Sequence, residues 1–145
     1  MYIEKADELT DELYRAVQHL VAQLGAHKTS PTHQELEELM RSQASALLVA
    51  REPDERGSIV GLLCLIVYRV PTGLRSIIED VVVDETRRGR GIGKALVQYA
   101  IELAGEAGAE GISLTSNPRR EVANQLYRSM GFELRPTNAY FYRLK

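Results

Sequence analysis

The sequence holds one cysteine, Cys64. A lone thiol closes no internal disulfide and builds no zinc site from several cysteines. An excess of charge of either sign is missing too, since 18 Lys and Arg stand against 20 Asp and Glu for a formal net charge of -2. Neutralising phosphates needs a cationic surplus, so a polybasic nucleic-acid binder is excluded and no nucleic-acid partner is expected. No long apolar run is present. The longest, Gly61 to Tyr68, falls far below the ~20 residues of a membrane span. The opening MYIEKADELTDEL offers no apolar stretch of signal-peptide length. The expectation is therefore a cytoplasmic protein with no membrane partner. The three histidines, His19, His27 and His33, lack metal-ligand spacing between strong partners, so no metal is expected.

What is there suffices for one core. A chain of 145 residues with 44% hydrophobic content reads as one folded domain over 1–145 rather than a disordered one. No repeat, linker or low-complexity stretch divides it. Tyr2 to Lys5 reads as a short strand. Leu9, Leu13, Val17, Leu20 and Leu24 follow at helical spacing, with Thr10 or Asp7 as cap and Gly25 as stop. Ser30-Pro31 offers a cap and a first-turn proline for a second helix carrying Leu36, Leu39 and Met40, while Thr32 and Glu35 fit a capping box. Strands are expected over 46–51, 59–70 and 75–83, with turn chemistry at 52–57 and 71–73 between them. A long helix opens after Gly91 and ends at Gly108, a short strand covers 111–115, and a helix over 120–130 buries Val122, Ala123, Leu126, Tyr127 and Met130. Phe132 to Arg135 and Tyr140 to Leu144 are candidate final strands. The fold class is α/β or α+β with a mixed sheet.

The informative unit is the strand IIEDVVV, then Asp84-Glu85-Thr86-Arg87-Arg88-Gly89-Arg90-Gly91-Ile92-Gly93-Lys94, then a helix. Glycines let backbone approach a ligand closely, and the first N–H groups of a helix have no internal partner. With the helix dipole and flanking cations they favour an anion such as a phosphate or pyrophosphate. Spacing separates the known phosphate motifs. Lys94 is followed by Ala95 and position 88 is Arg, so the Walker A pattern fails. The sixth residue from Gly89 is Lys94 and from Gly91 is Leu96, so the dinucleotide fingerprint fails as well. What fits is R-x-x-G-x-G, carried by Arg88, Gly91 and Gly93.

With IEDVVVDETRRGRGIGKALV before it and R-x-x-A-x-x-L-Y-x-x-x-G-F after it, this unit resembles the GNAT superfamily of acetyl-CoA-dependent N-acetyltransferases. The resemblance covers nearly the whole chain and is strongest from Ile77 to Phe132. It implies a mixed, mostly antiparallel sheet of six to seven strands with about four helices and strands that splay at the cofactor site. It implies acetyl-CoA as co-substrate, an amine acceptor whose identity is open, and transfer by direct attack in a ternary complex. Carried over by position, Arg88, Gly89, Arg90, Gly91, Ile92, Gly93 and Lys94 would hold the pyrophosphate, and Val81, Val82 and Val83 would meet the pantetheine arm as an added strand does. Asn117, Arg120, Asn124 and Tyr127 would also touch the cofactor. Tyr127 would protonate the departing thiolate, and a backbone N–H near Val81 would stabilise the tetrahedral intermediate.

The acceptor amine is mostly ammonium at neutral pH, with an ordinary pKa of ~10.4, so a base must remove a proton before attack. Glu79 is the candidate, directly or through water. Asp80 points to the other face of a regular strand, an inference a bulge would reverse. Cys64, in the most apolar strand, reads as buried and inert, and His27 and Lys28 lie in the loop that helps wall the acceptor site in relatives. The net charge divides unevenly: eleven acids and six bases up to residue 60 give -5, and nine acids and twelve bases beyond it give +3. An acidic N-terminal part would suit a cationic amine. The alternative is a non-catalytic acyl-CoA-binding sensor of the same fold. Relatives often dimerise, so a homodimer is among the assemblies the resemblance allows.

Overall fold

A computed structural model describes residues 1–145, which fall into two compact units, 1–115 and 116–145. The first begins with β1 (Tyr2–Lys5) and α1 (Asp11–Val21). Thr10 rather than Asp7 caps α1, its Oγ1 accepting the Leu13 N–H at 3.1 Å. Helix α2 (His33–Arg41) starts with a complete capping box, in which Thr32 and Glu35 each accept the other's backbone N–H, at 2.9 and 3.1 Å. Ser30 does not cap it and donates its hydroxyl to the Gln18 carbonyl at 3.4 Å instead. The reciprocal pair satisfies two otherwise unpaired donors, which settles the start at Thr32.

Strands β2 (Ser45–Glu52), β3 (Ser58–Val70) and β4 (Gly73–Val83) lie within two residues of their expected bounds and pair antiparallel, with β1 on β2. A 3-10 turn (Glu85–Arg87), α3 (Ile92–Glu106) and β5 (Ile112–Ser113) complete the unit. The sheet order is β1-β2-β3-β4-β5. The β4–β5 pairing is parallel and confined to Ser76 with Ile112 and Ile77 with Ser113. Beyond Ile77, β4 has no ladder on that side, so the sheet opens where the resemblance implied a splay.

Two helical layers cover the sheet. On one face, Leu13, Val17, Leu20 and Leu36 of α1 and α2 pack with Leu47, Val49, Leu62 and Val82. On the other, α3 buries Ile92, Leu96, Val97 and Ala100. A side chain at Gly61 would come within 3.2 Å of Leu96 and 3.3 Å of Ile92, so that glycine permits the close approach of α3 to β3. Each buried leucine contributes about 1.5–3 kcal/mol. Helices as short as α1 and α2 are held by this packing more than by propensity.

The second unit holds α4 (Glu121–Ser129), which ends at Gly131 in the left-handed region with φ 98°. Tyr127 is buried and meets Phe132 edge-on at 5.8 Å between ring centres. Val122, expected on the buried side, is 83% exposed. Helical periodicity gives the direction of a face but not how far along it the cover extends. The segments Phe132 to Arg135 and Tyr140 to Leu144 form no strand, so the sheet has five strands instead of six to seven. Tyr140, Phe141, Tyr142 and Leu144 are exposed. Their composition signals strand propensity, but a strand also needs a partner backbone, which no local sequence supplies. No helix is long and apolar enough to cross a membrane.

Candidate active site

The glycine-rich turn is built on backbone geometry. Gly89 and Gly91 have φ of 80° and 82°, the left-handed region that glycine enters at little cost. Gly91 occupies the cap position of α3, and no side chain caps that helix. Its first N–H groups are therefore left for an outside acceptor. A Cβ built on Gly89 or Gly91 meets nothing within 4 Å, so open space lies beside both, which a side chain would fill. The arrangement fits an anion such as the pyrophosphate of coenzyme A, with Arg88, Arg90 and Lys94 exposed around it.

Neighbouring side chains fix the turn. Asp84 Oδ1 accepts from the Thr86 N–H at 3.0 Å, and its Oδ2 lies 3.1 Å from His19 Nε2 on α1. The Thr86 N–H, followed by the bond to His19 and the Thr86 hydroxyl, holds the Asp84 carboxyl below its ordinary pKa. Gln23 takes the Glu85 N–H at 2.9 Å. Arg88 Nε donates to the Val83 carbonyl at 3.0 Å, closing the end of β4. Arg87 and Arg90 both reach Glu52, at 3.4 and 3.1 Å.

Beside the turn, β4 carries a bulge. The β3–β4 register pairs Leu62 with Val82 and Cys64 with Glu79, so Leu63 faces both Asp80 and Val81. Asp80 has φ 53°, left-handed for a residue with a side chain. Because of the extra residue, Glu79 and Val82, three apart, share the α1–α2 face. Asp80 is turned with them. Both carboxylates line a cavity of about 260 Å³ whose other walls come from α1, α2, β2, β3 and the loop at Thr29 and Pro31. Cys64 lines it as well. Burial, then Asp80 and Glu79, push its thiol up to about 11, so it stays neutral and non-nucleophilic near pH 7. The regular-strand expectation for Asp80 is thus reversed. His27 and Lys28 do not line the cavity.

In the second unit, Asn117 Oδ1 accepts the Arg119 N–H at 2.9 Å, and its carbonyl accepts from Asn124 Nδ2 at 3.0 Å. Asn117 and Asn124 are thereby joined at the start of α4. Arg120 sits at the cap position without a capping side chain. Burial pushes the Tyr127 phenol above its ordinary pKa, while the charge of Arg120 pulls the other way.

The first unit therefore gathers Glu79, Asp80 and Val81 at one bulge and residues 88–94 in one turn. The Val81 to Val83 segment joins them. Glu52, His19 and Gln23, which steady the turn, carry no local signal, because each lies far from it in sequence. The apolar residues walling the cavity were visible only as core positions of two helices and two strands. No group of three or more His, Cys, Asp or Glu side chains is placed to hold a metal ion.

A strand that opens from its neighbour, bulges, and delivers the chain to an uncapped glycine-rich helix start is the arrangement that the resemblance to acetyl-CoA-dependent acetyltransferases implied. The chain belongs to the GNAT acetyltransferase family, whose model matches residues 8–132. It is 40% identical over 90 residues to the "Probable glucosamine 6-phosphate N-acetyltransferase 2" of Oryza sativa subsp. japonica. That match spans 59% of this chain and 52% of the rice protein, about half its length. A crystal structure of an aminoglycoside acetyltransferase from an uncultured soil metagenomic sample, in complex with trehalose, superposes with a TM-score of 0.85 at 23% identity, covering 99% of this chain and 96% of that one. The glucosamine-6-phosphate N-acetyltransferase of Arabidopsis thaliana gives 0.77 at 21% identity, covering 98% and 99%. At such identities the structural likeness is one of fold.

Proposed function

We propose that residues 1–145 act as one N-acetyltransferase that moves the acetyl group of acetyl-CoA onto a primary amine in a ternary complex. The observation that carries this reading is the pairing of an uncapped, glycine-opened helix start with two carboxylates at a strand bulge in the same unit. Residues 88–94 would hold the pyrophosphate, and β4 from Val81 to Val83 would offer main-chain groups to the pantetheine arm. Glu79 takes the ammonium proton, directly or through water, with Asp80 beside it at the cavity. A backbone N–H of the bulge near Val81 stabilises the oxyanion. Tyr127, kept protonated by burial, returns a proton to the thiolate, a role that comes from the family resemblance. Asn117, Arg120 and Asn124 are carried over in the same way as cofactor contacts.

The family and the rice relative support acetyl transfer, and the relative's name offers an amino-sugar phosphate as one acceptor. The test is thiol release from acetyl-CoA with a panel of primary amines, alongside calorimetric binding of acetyl-CoA. Release with at least one amine is the expected outcome. Tight acetyl-CoA binding without release on any amine would favour the non-catalytic sensor. An enzyme acting on soluble amines in the cytoplasm, as a monomer or a homodimer, is the setting this proposal adopts.

A further inference from the structure

The cavity at the bulge is lined in a way that speaks to the acceptor. Val17 and Val21 of α1, Leu36 and Leu39 of α2, and Leu47 and Leu62 of the sheet supply apolar walls. Thr29 is the one uncharged hydroxyl among the lining residues, Cys64 adds a neutral thiol, and neither Lys nor Arg lines it. The only charged groups are Glu79 and Asp80. The ion pairs of the protein occupy Glu4, Glu12, Glu37, Glu52, Asp84 and Glu110 and leave these two out. An open apolar cleft with two exposed, unpaired carboxylates at one side complements a cation attached to a hydrophobic body.

We infer that the acceptor is a small primary amine bearing one compact hydrophobic group, an aryl ring or a short alkyl chain, rather than an amino sugar or a phosphorylated amine. The inference rests on the acetyltransferase reading above. Its ammonium sits at Glu79 and Asp80, and its hydrocarbon enters between α1 and α2. Size agrees: a 150 Å³ apolar cavity takes benzene, so the open cleft of about 260 Å³ has room for a ring with a short arm. A phosphate would meet no cation in the lining and would be repelled by the two carboxylates. A sugar would leave its hydroxyls without partners against Val17, Leu36 and Leu39.

The chemistry balances without any further reactant. The amine nitrogen forms a bond to the acetyl carbon, the carbon–sulfur bond breaks, one ammonium proton goes to a carboxylate before attack, and the amine's second proton is lost as the thiolate is protonated.

The experiment measures thiol release with benzylamine, hexylamine, spermidine and glucosamine 6-phosphate, and saturable shifts of the Val and Leu methyl signals with the same compounds. Benzylamine or hexylamine should exceed glucosamine 6-phosphate at least tenfold in kcat/KM. Val21→Lys, at the half-buried rim, should cut that rate at least tenfold while acetyl-CoA affinity stays within twofold. Preference for glucosamine 6-phosphate or spermidine overturns the inference and leaves acetyl transfer standing. If no amine releases thiol, the acetyltransferase reading fails, and the methyl shifts decide the pocket separately. Shifts with benzylamine but not with glucosamine 6-phosphate support the apolar-amine assignment, and their absence overturns it.

Discussion

The glycine-rich turn and the cavity at the bulge sit at opposite ends of one short stretch, Glu79 to Lys94, yet offer opposite chemistry. The turn offers backbone N–H groups, two left-handed glycines and exposed cations. The cavity offers hydrocarbon walls and two carboxylates. The first suits a polyanion whatever is attached to it, which fits a cofactor handle. The second discriminates by shape and charge, which fits an acceptor. One β-bulge separates them, since without the extra residue Asp80 would face α3 and Val82 would lose its place in the α1–α2 core.

The sharpest way to break this division is to remove the carboxylate nearest the proposed chemistry. Glu79→Gln should lower kcat about 10²- to 10⁴-fold, the usual contribution of a positioned base, and leave acetyl-CoA affinity within twofold. If Asp80→Asn instead produces that loss and Glu79→Gln does not, the base is Asp80. An equal loss of cofactor affinity would merge the two regions into one.

The converse substitution belongs to the turn. Gly91 needs φ 82°, where a β-branched residue is strained by about 1–3 kcal/mol. Gly91→Val should weaken acetyl-CoA binding about 10- to 100-fold by calorimetry, with thermal unfolding confirming a folded protein. Benzylamine should still shift the cavity methyls. Retained cofactor affinity would sink the pyrophosphate assignment.

The turn was readable in the sequence because the residues that form it are local, although His19, Gln23 and Glu52, which brace it, are not. Gly89, Gly91 and Gly93, the four cations and the apolar strand before them occur in one run, so spacing alone separated this motif from the other phosphate loops. The capping box at Thr32 and Glu35 was legible for the same reason. The cavity was not. Its walls come from α1, α2, β2 and β3, its carboxylates share a face only because of a bulge, and no residue pattern announces an Asp at φ 53°. The charge division shows the same limit. The acidic N-terminal part would suit a cationic amine, but none of its acids lines the cavity, and several are engaged elsewhere: Glu4 and Glu12 hold Arg51, Glu35 caps α2, and Glu52 holds Arg87 and Arg90. The carboxylates at the cavity come from β4. The final strands failed for a related reason, since Tyr140-Phe141-Tyr142 specifies a preference and not a partner.

Glu52 makes the comparison quantitative, because it places a negative charge against two of the cations of the turn. Glu52→Gln removes that charge without changing the size of the side chain. Freed from it, Arg87 and Arg90 should tighten acetyl-CoA binding about two- to fivefold at low salt, an effect that fades as salt screens exposed charges. Weaker binding in the variant would mean that Glu52 serves to position the guanidinium groups.

The smallest effect tests how the two regions are tied together. Asp84 follows β4, caps the turn and reaches His19 on α1, a helix that helps wall the cavity. Its pKa is held below the ordinary 3.8, so the stabilisation it gives is present above that value and is lost as pH falls through the folded-state pKa. Asp84→Ala should cost about 1 kcal/mol at pH 7, the typical price of a lost cap, and less at acid pH below the ordinary carboxyl range, measured by urea unfolding. With the tie removed, the His19 ring signals should also move in the free protein. An equal cost at both pH values would assign the stabilisation to hydrogen-bond shape alone, and the carboxylate charge would then have no part in joining the glycine-rich turn to the cavity wall.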